Sequence, residues 1–161
     1  MFGGLFLLKR CRLCQLELGI GRLLGLHLGE STACIIEVAR RPIGYIQFYA
    51  WDAEEAEMRE MGFDLPSGYW GVDILIGELD QLNGGLGSRA VSLMRRYLIE
   101  ERSAAGIALV VARDNVRAQR AYEKAGLVRV GEVLDIDTRD GQRIPSYLMA
   151  TPSAAAGRSR P

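Results

Sequence analysis

The chain has 161 residues, of which 48% are hydrophobic, enough for one domain with a substantial core. Its 20 basic residues balance 20 acidic ones, which excludes the strongly basic footprint of a nucleic-acid-binding protein. No apolar run is long enough to cross a bilayer, and Met1–Arg10 places its charges after a short apolar run, the reverse of a secretory signal. We therefore expect a cytoplasmic protein with no membrane or nucleic-acid partner.

Residues 1–32 carry little pattern beyond leucines, glycines and arginines. A loose helical spacing runs through Leu13, Leu16, Ile20, Leu23 and Leu24, and the intervening glycines weaken that helix. On paper, four zinc ligands are available in Cys11, Cys14, His27 and Cys34. Their spacing matches no common zinc module, so we expect reduced thiols and no metal site.

The next segment predicts an antiparallel hairpin, with strands over Ala33–Ala39 and Ile43–Trp51 and a turn over residues 40–42. Asp52 would cap a short helix, with Glu55 as its capping-box partner. Residues 52–64 are rich in acids. A solvated helix face explains them, and so does an acidic lip that attracts a cationic substrate.

The stretch 69–102 reads as an apolar strand, a glycine-rich turn and an amphipathic helix. Ala90, Val91, Met94, Tyr97 and Leu98 share the apolar face of that helix. Glycines at 84, 85 and 87 leave its first amides open at the positive end of the helix dipole, a natural place for a phosphate. The turn lacks the Gly-Lys-Ser/Thr ending of a P-loop and the G-x-G-x-x-G order of a dinucleotide site, so an ordinary helix start remains open.

The remaining chain predicts a buried strand over Gly106–Ala112 and a helix that Asn115 caps and Gly126 ends. Strands over Leu127–Ile136 and Ile144–Ala150 follow, joined through Asp140-Gly141. Residues 151–161 read as a disordered tail. Together these elements predict one α/β domain over residues 1–150, with a mixed sheet.

Three segments in this order resemble the GNAT superfamily of acetyl-coenzyme A-dependent N-acetyltransferases. They are Val72–Ser88, the run Asn115-Val116-Arg117-Ala118-Gln119-Arg120-Ala121-Tyr122-Glu123-Lys124-Ala125-Gly126, and the closing hairpin. Gly71-Val72-Asp73, Gln81-Leu82 and Gly85-Leu86-Gly87 look like the group that modifies the 6'-amino group of aminoglycosides. Over about residues 33–150 the resemblance implies a GNAT-like α/β (α+β) fold: a mixed, mainly antiparallel central sheet flanked by helices, with a shortened N-terminal part.

The resemblance implies a site for acetyl-coenzyme A as cosubstrate. Amides of the glycine turn would hold its pyrophosphate, the central strand would pair with its pantetheine arm, and Asn115 would contact the arm. The implied coenzyme-binding residues are Ile74, Leu75, Ile76, Leu82, Asn83, Gly84, Gly85, Leu86, Gly87, Ser88 and Asn115. One departure is Asn83-Gly84, which replaces the basic residue more usual at this turn.

The resemblance also places Asp73 beside the thioester and Tyr122 near the sulfur. An ammonium cannot attack a thioester until it loses a proton, and Asp73 is the candidate base, while Tyr122 is the candidate acid for the leaving thiolate. Asp52, Glu55 and Asp73 would bind the cationic substrate. Plainer interpretations remain open: Asp73 as the solvent-facing residue of a half-buried strand, and Tyr122 as a core tyrosine.

The leading prediction is acetyl transfer to a small-molecule amine, most directly an aminoglycoside. A peptide amine or a siderophore-type hydroxylamine as acceptor, and a non-catalytic acyl-coenzyme A binding module, stay open as alternatives. Residues 1–32 are too short for the strand and two helices that normally form one wall of the acceptor site. Edge strands at the closing hairpin also offer a route to a homodimer.

Overall fold

The computed structural model describes residues 23–28, 31–51, 65–136 and 141–152. Within these ranges the strands are β1 (Leu23–Leu28), β2 (Ser31–Val38), β3 (Arg41–Ala50), β4 (Tyr69–Ile76), β5 (Gly106–Ala112), β6 (Val128–Ile136) and β7 (Arg143–Ala150). The helices are α1 (Leu86–Arg102) and α2 (Val116–Lys124). Neither helix has the length and apolar character that a bilayer crossing would need. The predicted helical acidic segment that begins with Asp52 and Glu55 lies outside the described residues.

The strands form one seven-stranded sheet in the order β1-β2-β3-β4-β5-β7-β6. Every neighbouring pair is antiparallel except β4 and β5, which are parallel and joined through α1. A parallel pair needs such a crossover, because a short turn can join only antiparallel strands. The predicted mixed, mainly antiparallel sheet flanked by helices is therefore confirmed.

The first three strands differ from the prediction in two places. Leu23 and Leu24, assigned by spacing to a weak helix, lie in β1, where Leu23 is opposite Ile36 of β2. Backbone pairing with a neighbouring strand outweighs a helical spacing that glycines interrupt. The hairpin turn is Ala39–Arg40, both with positive φ (49° and 67°), so β3 begins at Arg41 rather than at Ile43. Two central residues with positive φ are typical of the tightest hairpin turns.

The main core lies between the helices and one face of the sheet. α1 directs its apolar face into this core as predicted, and Met94 and Leu98 are completely buried. Burying one such side chain contributes about 1.5–3 kcal/mol to folding. A smaller cluster on the opposite face of the sheet includes Trp51, Tyr69 and Leu148.

The packed part of the chain extends past the predicted end of the domain at Ala150. Thr151 is buried, and its Oγ1 accepts a hydrogen bond from Ile107 N at 3.1 Å. Its backbone N donates to Ile107 O at 2.9 Å, and its carbonyl accepts from the Tyr69 hydroxyl at 2.9 Å. Thr151 therefore belongs to the packed fold and not to the tail, since it bonds to Ile107 near the start of β5 much as one more residue of β7 would.

Candidate active site

The centre of the sheet contains an opening between its two parallel strands. β4 and β5 pair only from Tyr69↔Gly106 to Gly71↔Ala108. Beyond that point β4 continues to Ile76 beside β3 alone, and β5 continues to Ala112 beside β7 alone. From Val72 onward, alternate backbone groups of β4 therefore face the opening instead of a neighbouring strand, which is the arrangement that accepts an added extended chain.

Both helices begin at this same end of the sheet, because each follows one of the two parallel strands. α1 follows β4 through residues 77–85, and α2 follows β5 through residues 113–115. Ligands of sheets with parallel strands bind where the carboxyl ends of those strands meet helix N-termini. The opening, the glycine turn and the cap of α2 thus lie at one edge.

The glycine turn leaves the start of α1 without a side-chain cap. Gly85 is the N-cap in the left-handed region (φ 76°), no side chain bonds to the first turn, and no acid lies in that turn. The first helical hydrogen bond runs from Arg89 N to Gly85 O, so the amides of Leu86, Gly87 and Ser88 precede the ladder. Apart from the helix's own nearby backbone and the two chain neighbours, no atom of the described residues lies within 4 Å of a methyl group built on Gly87. An uncapped helix start of this kind favours an anion.

The turn also restricts which predicted amides are free for a ligand. Leu82 N already donates to Leu79 O at 3.2 Å, closing a short 3-10 turn over Leu79–Gln81. The Ser88 hydroxyl donates to Gly85 O at 2.9 Å and so fixes the turn from within. Asn83 has a positive φ of 66°, which an asparagine tolerates better than most residues. The predicted anion site is therefore best served by the amides after Leu82.

Asp73 lies on β4 at the opening, on the face of the sheet opposite the helices. Its partner on the adjacent strand β3 is Gln47, whose Nε2 donates to Asp73 Oδ2 at 2.8 Å. The carboxylate touches solvent, yet the surrounding protein displaces enough water to raise its pKa. Burial is the largest influence on this pKa. The Gln47 hydrogen bond lowers the pKa and the negative charge of Asp135 raises it, and the net shift is upward.

Tyr122 lies on α2 and packs with the main core. Burial, and to a smaller extent the charge of Asp73, together raise the pKa of its hydroxyl to about 12. The phenol is therefore protonated at neutral pH, as a proton donor must be. The structure brings the two predicted catalytic residues into electrostatic range of each other, one from a strand and the other from a helix.

Residues 23–134 of the chain match the model of the acetyltransferase (GNAT) domain. The chain belongs to the GNAT acetyltransferase family. It is 32% identical over 130 residues to aminoglycoside N(6')-acetyltransferase type 1 of Klebsiella pneumoniae. That alignment covers 76% of this chain but only 58% of the relative, so the chain spans less than two thirds of the length of this curated relative.

Solved structures of the same group of acetyltransferases resemble the fold. AAC(6')-Ib in complex with coenzyme A and kanamycin aligns with a TM-score of 0.61 and 30% identity, over 82% of this chain and 72% of that one. The same enzyme in complex with paromomycin and acetyl-coenzyme A also gives a TM-score of 0.61 and 30% identity, over 82% and 70% of the two chains. The resemblance deduced from the sequence is confirmed at the level of the family and of this aminoglycoside group.

In this GNAT domain, the other predicted coenzyme residues occupy the same edge. Ile74 and Ile76 pack toward the core, while Leu75 shares the face of Asp73 and is 54% exposed. Asn115 caps α2, with its side-chain oxygen accepting from Ala118 N at 3.1 Å. That oxygen is occupied, which leaves the amide nitrogen of Asn115 as the group for the predicted contact to the pantetheine arm.

A second carboxylate, on a different element, influences Asp73, and the sequence did not single it out. Asp135 lies on β6 and influences Asp73 electrostatically, although β7 and β5 lie between their strands in the sheet order. No local sequence signal predicts this influence. The pairing of Gln47 with Asp73 depends on the register of β3 against β4, which the sequence does not fix.

Aromatic side chains share the sheet face of Asp73. Tyr45 is 37% exposed, and Tyr49 lies opposite Gly71, where a methyl group would come within 2.2 Å of its ring. Gly71 is therefore required by the ring, because any side chain there would displace Tyr49. Asp73 and these aromatic rings thus share the face of the sheet opposite α1 and α2.

Proposed function

We propose that this chain transfers the acetyl group of acetyl-coenzyme A to a primary amine, namely the 6'-amino group of an aminoglycoside. The observation that carries the proposal is the opening between β4 and β5, because it combines an uncapped helix start, an unpaired strand edge, a carboxylate and a buried phenol. The family supports acetyl transfer, and relatives with aminoglycoside activity in their names support the acceptor. A cytoplasmic location is part of the proposal.

The coenzyme would lie along this opening. The amides from Asn83 to Ser88 would donate to its pyrophosphate at the positive end of α1. The free edge of β4 at Ile74–Ile76 would pair with the pantetheine arm, and Asn115 would donate to the arm from its amide nitrogen. When bound, the coenzyme supplies the acetyl group as a thioester, and this chemistry asks for no metal.

Asp73 then accepts a proton from the substrate ammonium, directly or through one water, so that the free amine attacks the thioester carbonyl. A carboxylate of raised pKa is a stronger base than an ordinary aspartate, which suits it for this proton. Tyr122 donates its hydroxyl proton to the sulfur as the carbon–sulfur bond breaks. The second proton of the attacking nitrogen returns to the phenolate through water, and Asp73 releases the first proton to solvent. The products are the acetylated amine and coenzyme A as a thiol.

The charge and the aromatic surface of the site favour a polycationic sugar as acceptor. Asp73 and Asp135 together form a negative region that attracts ammonium groups. Exposed aromatic faces such as Tyr45 suit both cations and the apolar faces of sugar rings. Asp52 and Glu55 are proposed to add negative charge at the same side.

Acetylation of kanamycin or tobramycin by the purified chain is the direct test of this proposal. We expect thiol release from acetyl-coenzyme A and a product acetylated at the 6'-amino group. An aminoglycoside with a hydroxyl at position 6' is the matched control and should be a much poorer acceptor. Asp73→Asn should lower the rate by roughly 10²–10⁴-fold while coenzyme A binding is retained, since the variant keeps the size of the side chain and loses the base.

The alternatives predict different results in the same assays. Turnover on a peptide amine or a hydroxylamine, with none on any aminoglycoside, would reassign the acceptor and keep the enzyme. A non-catalytic binding module would be stabilised thermally by coenzyme A and would turn over no amine, and Asp73→Asn would then change little. Homodimer formation through the closing hairpin remains a prediction, which the molar mass in solution would test.

A further inference from the structure

Arg41 lies beside the segment that leads into the glycine turn. It begins β3, and because β3 runs antiparallel to β4, its start is next to the end of β4 and the residues that follow. Gly77 N donates to Ile43 O at 2.8 Å, which continues the contact between the two segments beyond the ladder. Arg41, from the hairpin of β2 and β3, thus lies beside the segment that precedes α1.

The Arg41 guanidinium bridges two carboxylates of this segment. Its Nη2 donates to Glu78 Oε2, and its Nη1 donates to Asp80 Oδ2 at 3.3 Å. Asp80 belongs to the 3-10 turn Leu79–Gln81, and Glu78 is its N-cap. All three side chains are 40–57% exposed, so these ion pairs contribute little to the stability of the fold. These ion pairs can still change the electrostatic attraction of a charged ligand, because that depends on the net charge of the segment.

Glu78 and Asp80 are the charged residues of the whole segment 77–85. Asp80 precedes the first glycine of the turn by four residues, a distance of at most about 14 Å along the chain. Exposed charges act over about 8–10 Å at physiological ionic strength. Negative charge in this segment opposes the attraction that the α1 dipole exerts on a diphosphate, and a cation bound to these carboxylates reduces that opposition.

We propose that Arg41 is a positioning residue of the coenzyme site that acts through Glu78 and Asp80. By pairing with both, its single positive charge offsets part of the negative charge at the approach to the α1 start and so keeps this end of the molecule more attractive to the phosphates of coenzyme A. The inference rests on the proposed coenzyme site, and it requires no contact between Arg41 and the coenzyme.

Titration calorimetry of coenzyme A against the purified chain tests this role. Arg41→Ala should weaken binding by roughly threefold to tenfold, the effect of losing one to two weak charge interactions. Arg41→Lys should retain most of the affinity because it keeps the charge. Arg40→Ala, on the same turn, is the matched control and should bind as the parent does.

Two further measurements separate charge from structure. The gap between Arg41→Ala and the parent should close at high salt, because salt screens the exposed carboxylates. The triple variant R41A/E78Q/D80N lacks both the Arg41 ion pairs and the two negative charges, and it should bind coenzyme A at least as tightly as the parent.

Unchanged affinity of Arg41→Ala would overturn the inference and leave the coenzyme site in place. A loss that neither salt nor the triple variant relieves would also overturn it, since that result indicates a structural role. A parent chain that binds no coenzyme A would overturn the coenzyme site itself and this inference with it.

Discussion

Asp73 experiences opposing influences that the structure assigns to separate residues. Burial and the charge of Asp135 raise its pKa, and the hydrogen bond from Gln47 lowers it. Because the folded-state pKa lies above the unfolded one, the stability linked to protonated Asp73 is fully present below the unfolded pKa and is lost as pH rises through the folded pKa. Ionised Asp73 therefore opposes folding modestly, as expected of a group retained for its chemistry.

Gln47→Leu isolates the influence that lowers the pKa of Asp73. Without the 2.8 Å hydrogen bond, the carboxylate loses a donor to its charged form, so its pKa should rise further. If Asp73 is the base, the acidic limb of the kcat/KM profile against pH should move to higher pH, and the rate at alkaline pH should approach that of the parent. Tyr45→Phe, two residues away on the same face of β3, is the control for general disturbance of the strand.

An acidic limb that stays in place in Gln47→Leu would contradict the assignment of Asp73 as the titrating base. A uniform loss of rate at every pH would instead indicate that Gln47 contacts the substrate or holds the strand. The pH profile thus distinguishes these roles, which a single rate measurement would not.

At the start of α1, Gly87 lowers the stability of the helix but leaves the first amides open to a ligand. A glycine within a helix costs up to about 1 kcal/mol relative to alanine, and α1 includes Gly87 in its first turn. The space outside Gly87 is empty, so packing does not require a glycine there. Gly85 differs, because its φ of 76° is a conformation that other residues adopt only with strain.

Gly87→Ala should separate these two properties. We expect thermal stability to be unchanged or slightly higher, because alanine favours the helix and its methyl group meets no atom within 4 Å. Coenzyme A binding should weaken, because the methyl group stands over the amides that would hold the pyrophosphate. Melting temperature and calorimetric affinity check the two expectations, with Ser92→Ala one turn later as the control. An unchanged affinity would move the anion site away from this turn.

For the whole molecule, the sequence predicts individual strands, helices and caps, but it does not predict which residues contact each other through the strand register. The bounds of β5 agree with the prediction, since a continuous apolar run over Gly106–Ala112 admits few other structures. The apolar face of α1 and the cap at Asn115 are equally local and equally well predicted. Asp73 and Tyr122 were identified through a resemblance, and their mutual influence is visible only in the fold.

The sequence does not predict the partners of the site residues, because these partners are distant along the chain. Gln47, Arg41 and Asp135 act across long sequence separations, and each contact depends on strand register or on the opening in the sheet. Thr151 was assigned to the tail because small residues follow it, although its side chain and backbone both bond to Ile107. Composition reports the average of a segment and not the one residue in it that packs.

The halves of the sheet meet at a short joint. Only the pairs from Tyr69↔Gly106 to Gly71↔Ala108 connect β4 to β5, and the opening begins directly beyond them. Gly106 lies at the closed end, where Tyr69 and Thr151 pack against it. The geometry of the opening therefore depends on a few residues that take no part in the chemistry.

Gly106→Ala should weaken this joint. A methyl group there would lie 2.3 Å from Thr151 Oγ1 and 2.6 Å from the Tyr69 ring, closer than real side chains approach. Because both neighbours are held by the hydrogen bond between the Tyr69 hydroxyl and Thr151 O, relief requires breaking packing on both sides. We expect the free energy of unfolding, measured with urea, to fall by about 1–3 kcal/mol. Gly131→Ala is the matched control in β6, where the nearest atom is 3.9 Å away, and it should change stability far less. Equal stability of the two variants would mean that the joint is looser than the contacts of Gly106 indicate, and the angle of the opening would then have to be set by α1 instead.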